Sequence, residues 1–526
     1  MKVLIADKMS ERAEEILYGR GIAVDVQTGL DADALKKIIE NYDALLVRSS
    51  TRVTADIMAA AKKLKVIGRA GIGVDNIDVP AATTRGIVVM NTPHGNSVTT
   101  AEHTLAMMFA SARHIPAADV TTQAGKWEKN KYTGIELYGK VLGIIGCGNI
   151  GALVAERALA LKLKVITYDP FLSDEKSKQL GVGKVTLDEL FAQSDIITLH
   201  VPLNEQTRNI INKDSLAKCK KGVRIVNCAR GGLIDEVALK KAMDDGHVAG
   251  AALDVFTDEP ALQNVLFGTP HVICTPHLGA STVEAQENVA LQVAEQVSDF
   301  LLSGAVAHAV NMPALSAEDA LRLRPYLRLA TDMGAFVGQL MQGDLQHIKI
   351  EYSGDIAALR VAPVTTVALQ ALLSTHMESV NVVNAQMRAQ ERGIKVEEVR
   401  VNDETDYRSL IKLSVTTSNG TRNITGTIFA QTSPRLIEVD GIPVEATPAQ
   451  HMLFIRNEDK PGLVGTVGQT LAQNKINIAS FHLGRAVVGG EAIALVAIDQ
   501  PASSDVVKQL AKLPLMLEVQ ALHFAA

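Results

Sequence analysis

The stretch KVLGIIGCGNIG, residues 140–151, reads as a strand that runs directly into a glycine-rich turn. Apolar residues recur at helical spacing from Ile150 onward, so the turn opens an amphipathic helix. Gly146, Gly148 and Gly151 form the pattern GxGxxG, in which glycine allows a tight turn and a close approach of the backbone to a ligand. The first N–H groups of the helix are free to bind a pyrophosphate. The stretch therefore predicts a dinucleotide-binding unit.

A carboxylate follows this turn where a dinucleotide site needs one. The next strand, LKVITYD at residues 163–169, ends in Asp169, at the spacing of about 20 residues at which an acid reaches the ribose hydroxyls. This carboxylate would repel the 2′-phosphate of NADP, and DPFLSD at 169–174 holds no Lys or Arg to compensate. NAD is therefore the predicted cofactor. The alternative is a glycine turn that only packs a helix on a sheet, and the placement of Asp169 argues against it.

The composition is that of a folded protein with several domains. The chain has 526 residues, of which 47% are hydrophobic and 21% charged, as in folded globular proteins. It is too long for a single hydrophobic core and is expected to form about three or four domains. A net charge of -6 without a dense Lys/Arg run gives no electrostatic basis for binding nucleic acid or an anionic membrane. The 4 cysteines form no CxxC pair, so no metal site is predicted. With no secretory signal and no apolar run of about 20 residues, we expect a cytoplasmic protein whose partners are small molecules.

Strand-like and helix-like segments alternate on both sides of the glycine turn and predict two doubly wound parallel sheets. One long helix, predicted at 284–304, could return to pack on the first of them. The last segment reads strand, helix, strand, strand, helix, strand. The predicted α/β fold class thus has four units: a flavodoxin-like substrate-binding unit at 1–95 and 282–312, a Rossmann unit for NAD at 96–281, an α+β intervening unit at 313–447 and a βαββαβ unit at 451–526.

Three strands of the second sheet lead to polar residues with separate chemical uses. The carboxyl ends of strands face the ligand crevice of such a sheet, so Arg230, Glu259 and His277 are expected to converge there. Oxidation of an alcohol with NAD needs a base for the hydroxyl proton and a cation for a substrate carboxylate. Imidazole titrates near neutral pH and suits the base, Glu259 would orient its ring, and the guanidinium of Arg230 matches a carboxylate. Taken singly, Arg230 could be a surface ion-pair partner, Glu259 a loop acid and His277 a turn residue. Together, the three residues favour a catalytic site.

The same segments carry a family resemblance. NCARGGLIDE (227–236), AALDVFTDEP (251–260) and TPHLGAST (275–282) resemble the signature of the D-2-hydroxyacid dehydrogenases, whose catalytic Arg, Glu and His fall on the three residues above. Other segments resemble the D-3-phosphoglycerate dehydrogenase branch of that family, over nearly the whole chain: VRSSTRVT (47–54), GRAGIGVDNID (68–78), VMNTPHGNS (89–97) and GKWEKNKYTG (125–134).

The resemblance implies a reaction and a set of cofactor contacts. The reaction is the oxidation of 3-phospho-D-glycerate to 3-phosphooxypyruvate with NAD, the first step of L-serine biosynthesis. Beside the glycine turn, the implied cofactor residues are Asn149, Ile150, Asp169, Val201, Cys228, Ala229, Asp254, Gly279 and Ala280.

The first unit supplies candidate substrate ligands. Arg48 and Arg69 end its third and fourth predicted strands, where two cations could hold a phosphate. Ser49, Ser50, the Gly71 backbone and Asn96 can donate further hydrogen bonds, and the resemblance places the substrate in this region. From the residues alone, surface arginines paired with acids are the alternative. We expect the two α/β units to close around the substrate and exclude water.

The last unit resembles an ACT domain in NEDKPGLVG (457–465) and KINIASFHLG (475–484). This resemblance implies L-serine as an effector, bound at Asp459, Gly462 and Asn477 between subunits of a homotetramer or homodimer. A module for dimerisation alone is the alternative. For the preceding unit the resemblance implies an intervening domain that binds anions.

Two other functions stay open. Another D-2-hydroxyacid dehydrogenase, such as a glyoxylate/hydroxypyruvate reductase, shares Arg230, Glu259 and His277, but Arg48 and Arg69 and the ACT-like tail argue against it. A non-catalytic NAD-sensing protein on the same fold is the second alternative, and the tail favours a feedback-controlled enzyme instead.

Overall fold

The computed structural model describes residues 1–315, 317–401 and 406–524, and these form four β-sheets with their helices. The elements of the first unit are β1 (Lys2–Ile5), α1 (Arg12–Gly19), β2 (Ala23–Val26), α2 (Ala32–Ile38), β3 (Ala44–Val47), α3 (Ala55–Ala60), β4 (Val66–Arg69), α4 (Val79–Thr84) and β5 (Val88–Met90). All five strands are parallel, in the order β2-β1-β3-β4-β5. The apolar run of β3 is buried throughout, because helices cover both faces of the sheet.

The second unit is a seven-stranded parallel sheet in the order β12-β11-β10-β9-β6-β7-β8. Two helices precede it, and the break between them lies at His114, two residues before Pro116, with a φ of 54°. The elements are α5 (Ser97–Arg113), α6 (Ile115–Gln123), β6 (Val141–Ile145), α7 (Asn149–Ala160), β7 (Lys164–Tyr168), α8 (Asp174–Leu180), β8 (Gly183–Lys184), α9 (Leu187–Gln193), β9 (Ile196–Leu199), α10 (Lys213–Lys218), β10 (Val223–Asn227), α11 (Glu236–Asp244), β11 (Val248–Leu253) and β12 (Val272–Cys274).

A long helix, α12 (Val283–Ser303), follows the second sheet and packs on the first. Its N-terminus is capped by Thr282, whose side chain accepts a hydrogen bond from the N–H of Ala285. The buried face of α12, including Val293, lies in one core with Leu17 of α1. The chain therefore passes from the first α/β unit to the second and returns to the first through α12. A crevice lies between the two units.

The third unit is a six-stranded mixed sheet in the order β14-β13-β15-β16-β17-β18, in which only the β13–β14 pair is parallel among the described pairings. Its elements are α13 (Ala317–Leu340), β13 (Leu345–Gly354), α14 (Ala362–Leu373), α15 (Ala385–Glu391), β14 (Lys395–Val401), β15 (Ser409–Thr417), β16 (Gly420–Phe429), β17 (Ser433–Val439) and β18 (Ile442–Ala446). Short 3-10 helices span Ile39–Asn41, Lys129–Tyr132 and Asp355–Ala358.

The fourth unit is an antiparallel sheet in the order β20-β21-β19-β22, built from β19 (His451–Glu458), α16 (Leu463–Gln473), β20 (Ile478–Arg485), β21 (Glu491–Ile498), α17 (Ser504–Ala511) and β22 (Met516–His523). It shares a core with the third unit, where the rings of Phe336 and Phe454 lie 5.9 Å apart. The predicted α/β class and the βαββαβ order are confirmed. Residues 525–526 of the predicted unit lie outside the described ranges. None of the described helices is long and apolar enough to span a bilayer.

Candidate active site

The crevice between the two α/β units contains two adjoining cavities. The larger, of about 780 Å³, is lined by residues that follow β3 and β4 and by the segment after β12. The smaller, of about 300 Å³, extends toward the glycine turn. Both are lined by Arg69, Asn96, His277 and Ala280, so they are two parts of one crevice.

The predicted residues lie in this crevice in two groups. The predicted substrate residues all line the larger cavity, together with Glu259 and His277: Arg48, Ser49, Arg69, Gly71 and Asn96. The smaller cavity is lined by Arg230 and by most of the predicted cofactor residues: Asn149, Ile150, Val201, Cys228, Ala229, Gly279 and Ala280.

His277 and Glu259 form a hydrogen-bonded pair. Nδ1 of His277 lies 2.7 Å from Oε2 of Glu259, and Oε1 of Glu259 accepts the N–H of Phe256 at 3.0 Å. Burial alone would raise the pKa of Glu259, but the hydrogen bonds from His277 and Phe256 outweigh it and leave that pKa below its ordinary value. An ionised Glu259 accepts only from a protonated Nδ1, so Nε2 becomes the proton-accepting atom of the ring.

Asp254 holds the loop that carries His277. Its carboxylate is 0% exposed and accepts hydrogen bonds from the Thr275 hydroxyl at 2.5 Å, the Leu278 N–H at 2.7 Å and the Gly279 N–H at 2.8 Å. Its backbone oxygen accepts the N–H of His277 at 2.9 Å. These bonds stabilise His277 at a φ of 55°, which residues other than glycine rarely adopt.

His103 of α5 completes this network, with Nε2 3.2 Å from Oδ1 of Asp254. Burial alone would raise the pKa of Asp254, but the bonds from His103 and Thr275 outweigh it and lower the pKa. Atoms of His103, Asp254 and Cys228 lie within 4.8 Å of one another, as in a metal site. Burial raises the pKa of the Cys228 thiol to about 12. Asp254 does not line either cavity, and its contact with the cofactor, which the family resemblance implies, stays a prediction.

Arg230 joins the second unit to the first. Its Nε donates to Oδ2 of Asp75 at 3.1 Å, and its Nη1 donates to the backbone oxygen of Ala229 at 2.7 Å. Asp75 lies in the loop after β4. In the same loop, a Cβ at Gly73 would overlap Nη2 of Arg230 and Oδ2 of Asp75, so a larger residue there would displace the two side chains of this ion pair.

Cationic groups without enough acceptors surround the larger cavity. Nε of Arg69 is buried and has no hydrogen-bond partner in the described part of the chain. Burial, then repulsion from Arg230, lowers the pKa of Arg69 to about 10, which still leaves it charged at neutral pH. Because a buried donor without a partner costs free energy, the guanidinium of Arg69 is suited to an anionic ligand. Oδ1 of the buried Asn96 also has no partner among the described residues, but this oxygen is an acceptor and needs a hydrogen-bond donor.

The glycine turn fits a dinucleotide. Gly146 has a φ of 92°, and a Cβ at Gly151 would overlap the Gly146 oxygen, so both glycines are needed for the turn. No atom lies within 4 Å of the place where a Cβ of Gly148 would be, at the N-terminus of α7. Asp169 lies beside the turn, since its Oδ2 accepts the N–H of Cys147 at 2.8 Å. The open space, the free helix N–H groups and the carboxylate suit a pyrophosphate and a ribose.

The predicted effector residues are already engaged within the fourth unit. Oδ2 of Asp459 accepts from Nη1 of Arg485 at 2.9 Å and from the Gly489 N–H at 3.0 Å, and these bonds lower the pKa of Asp459. Nδ2 of Asn477 donates to Asp499 at 2.8 Å. Gly462, the third residue of the set, precedes α16 with a φ of 112°.

Sequence reasoning missed three residues that contact the site residues. Asp75 lies inside GRAGIGVDNID, a segment used only for its resemblance, and the acid after the glycines was the available signal. Thr275 stands two residues before His277, where a hydroxyl could contact the same loop. His103 gave no signal, because a histidine on an apolar helix is as compatible with a core position as with a site.

Three family models match successive parts of this chain. Residues 105–279 match the D-isomer specific 2-hydroxyacid dehydrogenase NAD binding domain, residues 322–440 the D-3-phosphoglycerate dehydrogenase intervening domain, and residues 451–515 the ACT domain. D-3-phosphoglycerate dehydrogenase of Bacillus subtilis is 43% identical over 99% of both chains. The protein of the same name from Methanocaldococcus jannaschii is 41% identical over 99% of this chain and 100% of its own.

Solved structures match a part of the chain. A glyoxylate reductase from Paecilomyes thermophila has a TM-score of 0.55 and 32% identity, and covers 59% of this chain and 98% of its own. A D-lactate dehydrogenase from Aquifex aeolicus, complexed with NAD and lactic acid, has a TM-score of 0.53 and 26% identity over 60% of this chain and 100% of its own. The full-length matches, which include the intervening and ACT domains, establish that this chain belongs to the D-3-phosphoglycerate dehydrogenase family of D-isomer specific 2-hydroxyacid dehydrogenases.

Proposed function

We propose that this protein oxidises 3-phospho-D-glycerate to 3-phosphooxypyruvate with NAD, as the first step of L-serine biosynthesis. One observation carries the proposal: the His277–Glu259 pair lies in the same crevice as Arg48 and Arg69. A base next to a cationic wall suits an alcohol that bears a second anionic group. The names of the full-length relatives support the same substrate.

The proposed catalytic roles follow from the hydrogen bonds. His277 takes the hydroxyl proton of the substrate at Nε2, because Nδ1 donates to Glu259. Glu259 remains ionised and stabilises the imidazolium that forms. Arg230 binds the substrate carboxylate and places C2 near the cofactor. NAD, when bound, accepts the hydride from C2.

The phosphate is proposed to bind to the first unit. Arg48 donates from Nη1 to the backbone oxygen of Lys8 at 3.0 Å, which leaves further N–H groups for a ligand. Ser49 and the N–H of Gly71 lie in the same wall, although the Gly71 N–H donates to Thr92 at 2.7 Å. A phosphate that contacts both arginines would accept a hydrogen bond from the buried Nε of Arg69. Without that bond, it would still place a compensating negative charge beside the guanidinium.

The cofactor is proposed to extend from the smaller cavity to the glycine turn. Asp169 is the proposed ribose ligand: each of its oxygens accepts one backbone N–H, from Cys147 and from Phe171 at 2.8 Å each, and retains a lone pair. Its charge favours NAD over NADP. The role of Asp254 becomes indirect, through the N–H groups of residues 277–279.

Regulation, assembly and location are part of the proposal. The ACT domain is proposed to bind L-serine at Asp459, Gly462 and Asn477 of paired subunits, in a homotetramer or homodimer located in the cytoplasm. A serine ammonium group would have to replace Arg485 at Asp459. Residues 1–95 and 282–312 are proposed as the substrate-binding domain, 96–281 as the NAD-binding domain, 313–447 as an anion-binding intervening domain and 451–526 as the ACT domain.

NADH formation by the purified full-length protein tests the proposal. We expect selective turnover of 3-phospho-D-glycerate over D-glycerate and D-lactate, with inhibition by L-serine and with a kcat lowered by about 10² to 10⁴ in His277→Asn. Turnover of the unphosphorylated acids alone would assign the protein to the reductases of its family. NAD binding without turnover of any acid would assign a sensor. Turnover without a response to serine would contradict only the regulatory part.

A further inference from the structure

The ion pair between Arg230 and Asp75 occupies one edge of the guanidinium and leaves another open. Nε donates to Asp75 and Nη1 donates to Ala229. Nη2 contacts the backbone at Gly73 and donates to no acceptor among the described residues. Since Arg230, Gly73 and Asp75 all line the smaller cavity, the open donors belong to the crevice.

This arrangement fixes the orientation of the guanidinium plane. Two acceptors on different nitrogens define the plane of a rigid five-donor fork, whereas one acceptor would allow it to rotate. Nη1 and Nη2 retain N–H groups beyond these two bonds, and a guanidinium can use such groups to bind a carboxylate through two hydrogen bonds. The acceptors come from different units, because Ala229 follows β10 and Asp75 follows β4.

The pair is too exposed to be explained by stability. The side chains of Arg230 and Asp75 are 28% and 71% exposed. Exposed ion pairs contribute little to folding, so stability alone gives no reason for this contact between the two units. A role in orienting Arg230 accounts for the ion pair, and the small residue at position 73 leaves the two side chains undisturbed.

We propose that Asp75 is a positioning residue that presents Arg230 to the substrate carboxylate across the boundary between the two units. The inference rests on the proposed role of Arg230 in binding a carboxylate. In the described hydrogen bonds, Asp75 contacts Arg230 and not Arg48 or Arg69. It lies close enough to Arg69, however, to oppose the lowering of that guanidinium's pKa by burial, so a ligand without a phosphate is needed to isolate its effect on Arg230. Through Arg230, Asp75 affects the binding of any 2-hydroxy or 2-oxo acid to this crevice.

Two variants of Asp75 and one control variant test the proposal in the full-length protein. Asp75→Ala removes the acceptor and the charge, whereas Asp75→Asn retains an oxygen that can accept from Nε. Asp56→Ala is the matched control, since it removes an exposed acid of the same unit that makes no described ion pair. The measurements are KM and kcat with 3-phospho-D-glycerate, the Kd of oxamate for the protein with NADH, and Tm.

Asp75→Ala is expected to raise KM and the oxamate Kd about tenfold, the effect of misaligning a charge-assisted hydrogen bond, with kcat and Tm near those of the wild type. Asp75→Asn is expected to recover most of the affinity. A lower KM in Asp75→Ala would show that Asp75 competes with the substrate, and values equal to those of Asp56→Ala would show no role. A lower Tm without recovery in Asp75→Asn would show a structural role. Each of these three results overturns the proposal.

The oxamate measurement separates this inference from the proposed function. If the wild type does not oxidise 3-phospho-D-glycerate, the proposed substrate is wrong, but the oxamate Kd still reports on Arg230. If the wild type is active and Asp75→Ala binds oxamate normally, only the inference about Asp75 fails.

Discussion

Nε2 of His103 lies 3.2 Å from Oδ1 of Asp254, so helix α5, which connects the two α/β units, contacts the carboxylate that holds the loop carrying His277. We expect His103→Ala to lower kcat about tenfold, because the loss of one donor to a buried carboxylate costs about 1–3 kcal/mol and loosens the loop at His277. His103→Gln, which retains an N–H donor, should recover part of the rate. Steady-state kinetics check this, with Glu102→Ala as the exposed neighbouring control. A change in KM for NAD with an unaltered kcat would contradict a loop-positioning role.

The pairing of His277 with Glu259 predicts unequal effects of their substitution. His277→Asn should lower kcat by about 10² to 10⁴, the range for loss of a general base. Glu259→Gln should lower kcat less, by about tenfold to a hundredfold, because the imidazole remains but loses its orienting charge. Both are measured as NADH formation at saturating substrate. The prediction fails if Glu259→Gln is the more damaging change, or if NAD binding by fluorescence titration is lost in either variant.

The lowered pKa values of Asp254 and Glu259 predict an acid-sensitive fold. Because both carboxyls have a lower pKa in the folded protein than the ordinary values of 3.8 and 4.5, their stabilising effect is complete at neutral pH. This stabilising effect is lost as the pH falls below the ordinary pKa values and then through the lowered pKa values of the folded protein. The free energy of unfolding should therefore decrease toward acid, with a smaller slope in Glu259→Gln. Denaturant titrations at several pH values measure this slope, and an equal slope in both proteins would contradict the assignment.

We expect the substitution of Arg69 to weaken substrate binding without lowering the stability of the fold. Arg69→Met removes a buried guanidinium whose Nε has no described partner, so we expect the ligand-free protein to unfold no more easily, or to gain about 1 kcal/mol. The same variant should raise KM for 3-phospho-D-glycerate about tenfold to a hundredfold through loss of a phosphate contact. Calorimetry and kinetics measure the two effects. A variant that is both less stable and unchanged in KM would assign Arg69 to the fold instead of the substrate.

Asp169 predicts the choice of cofactor. Asp169→Ser removes the charge that repels a 2′-phosphate, so the ratio of kcat/KM for NAD to that for NADP should fall by about tenfold or more. Asp174→Ala is the control, since it removes an exposed acid that pairs with Lys184 in the same segment. If the ratio is the same in Asp169→Ser as in the wild type, Asp169 does not contact the ribose.

We expect a substitution of Asp332, in the third unit, to stabilise the fold. Burial raises the pKa of Asp332 to about 6 from the ordinary 3.8, and its Oδ2 has no partner in the described part of the chain. A raised acid pKa destabilises the fold as the pH rises above the ordinary value, and the penalty is complete above about 6, where it amounts to about 3 kcal/mol. Asp332→Asn should therefore raise the free energy of unfolding at pH 7 and do so less at pH 5. An equal gain at both pH values would contradict a titrating carboxyl.

Much of the fold could be predicted because its signals are local. The glycine pattern and the alternation of strands and helices each lie within a few residues of the elements they determine, and the apolar spacing within 284–304 predicted α12. The rule that strands end at the crevice predicted that Arg230, Glu259 and His277 would be close together. The strand position of Asp254 did not show that its carboxylate accepts hydrogen bonds from Thr275, Leu278 and Gly279, because those residues lie more than 20 positions further along the chain.

The sequence by itself determined the fold class, the cofactor site and the chemical types of the reacting groups, because periodicity, glycine turns and side-chain chemistry are local properties. Only the tertiary structure decided the contacts between distant segments: Arg230 with Asp75, His103 with Asp254, and α12 with the first sheet. These contacts form when two separately folded sheets and a returning helix bury apolar surface together, and no local pattern records which polar groups then become neighbours. The orientation of Arg230 and the left-handed backbone at His277 are products of that packing.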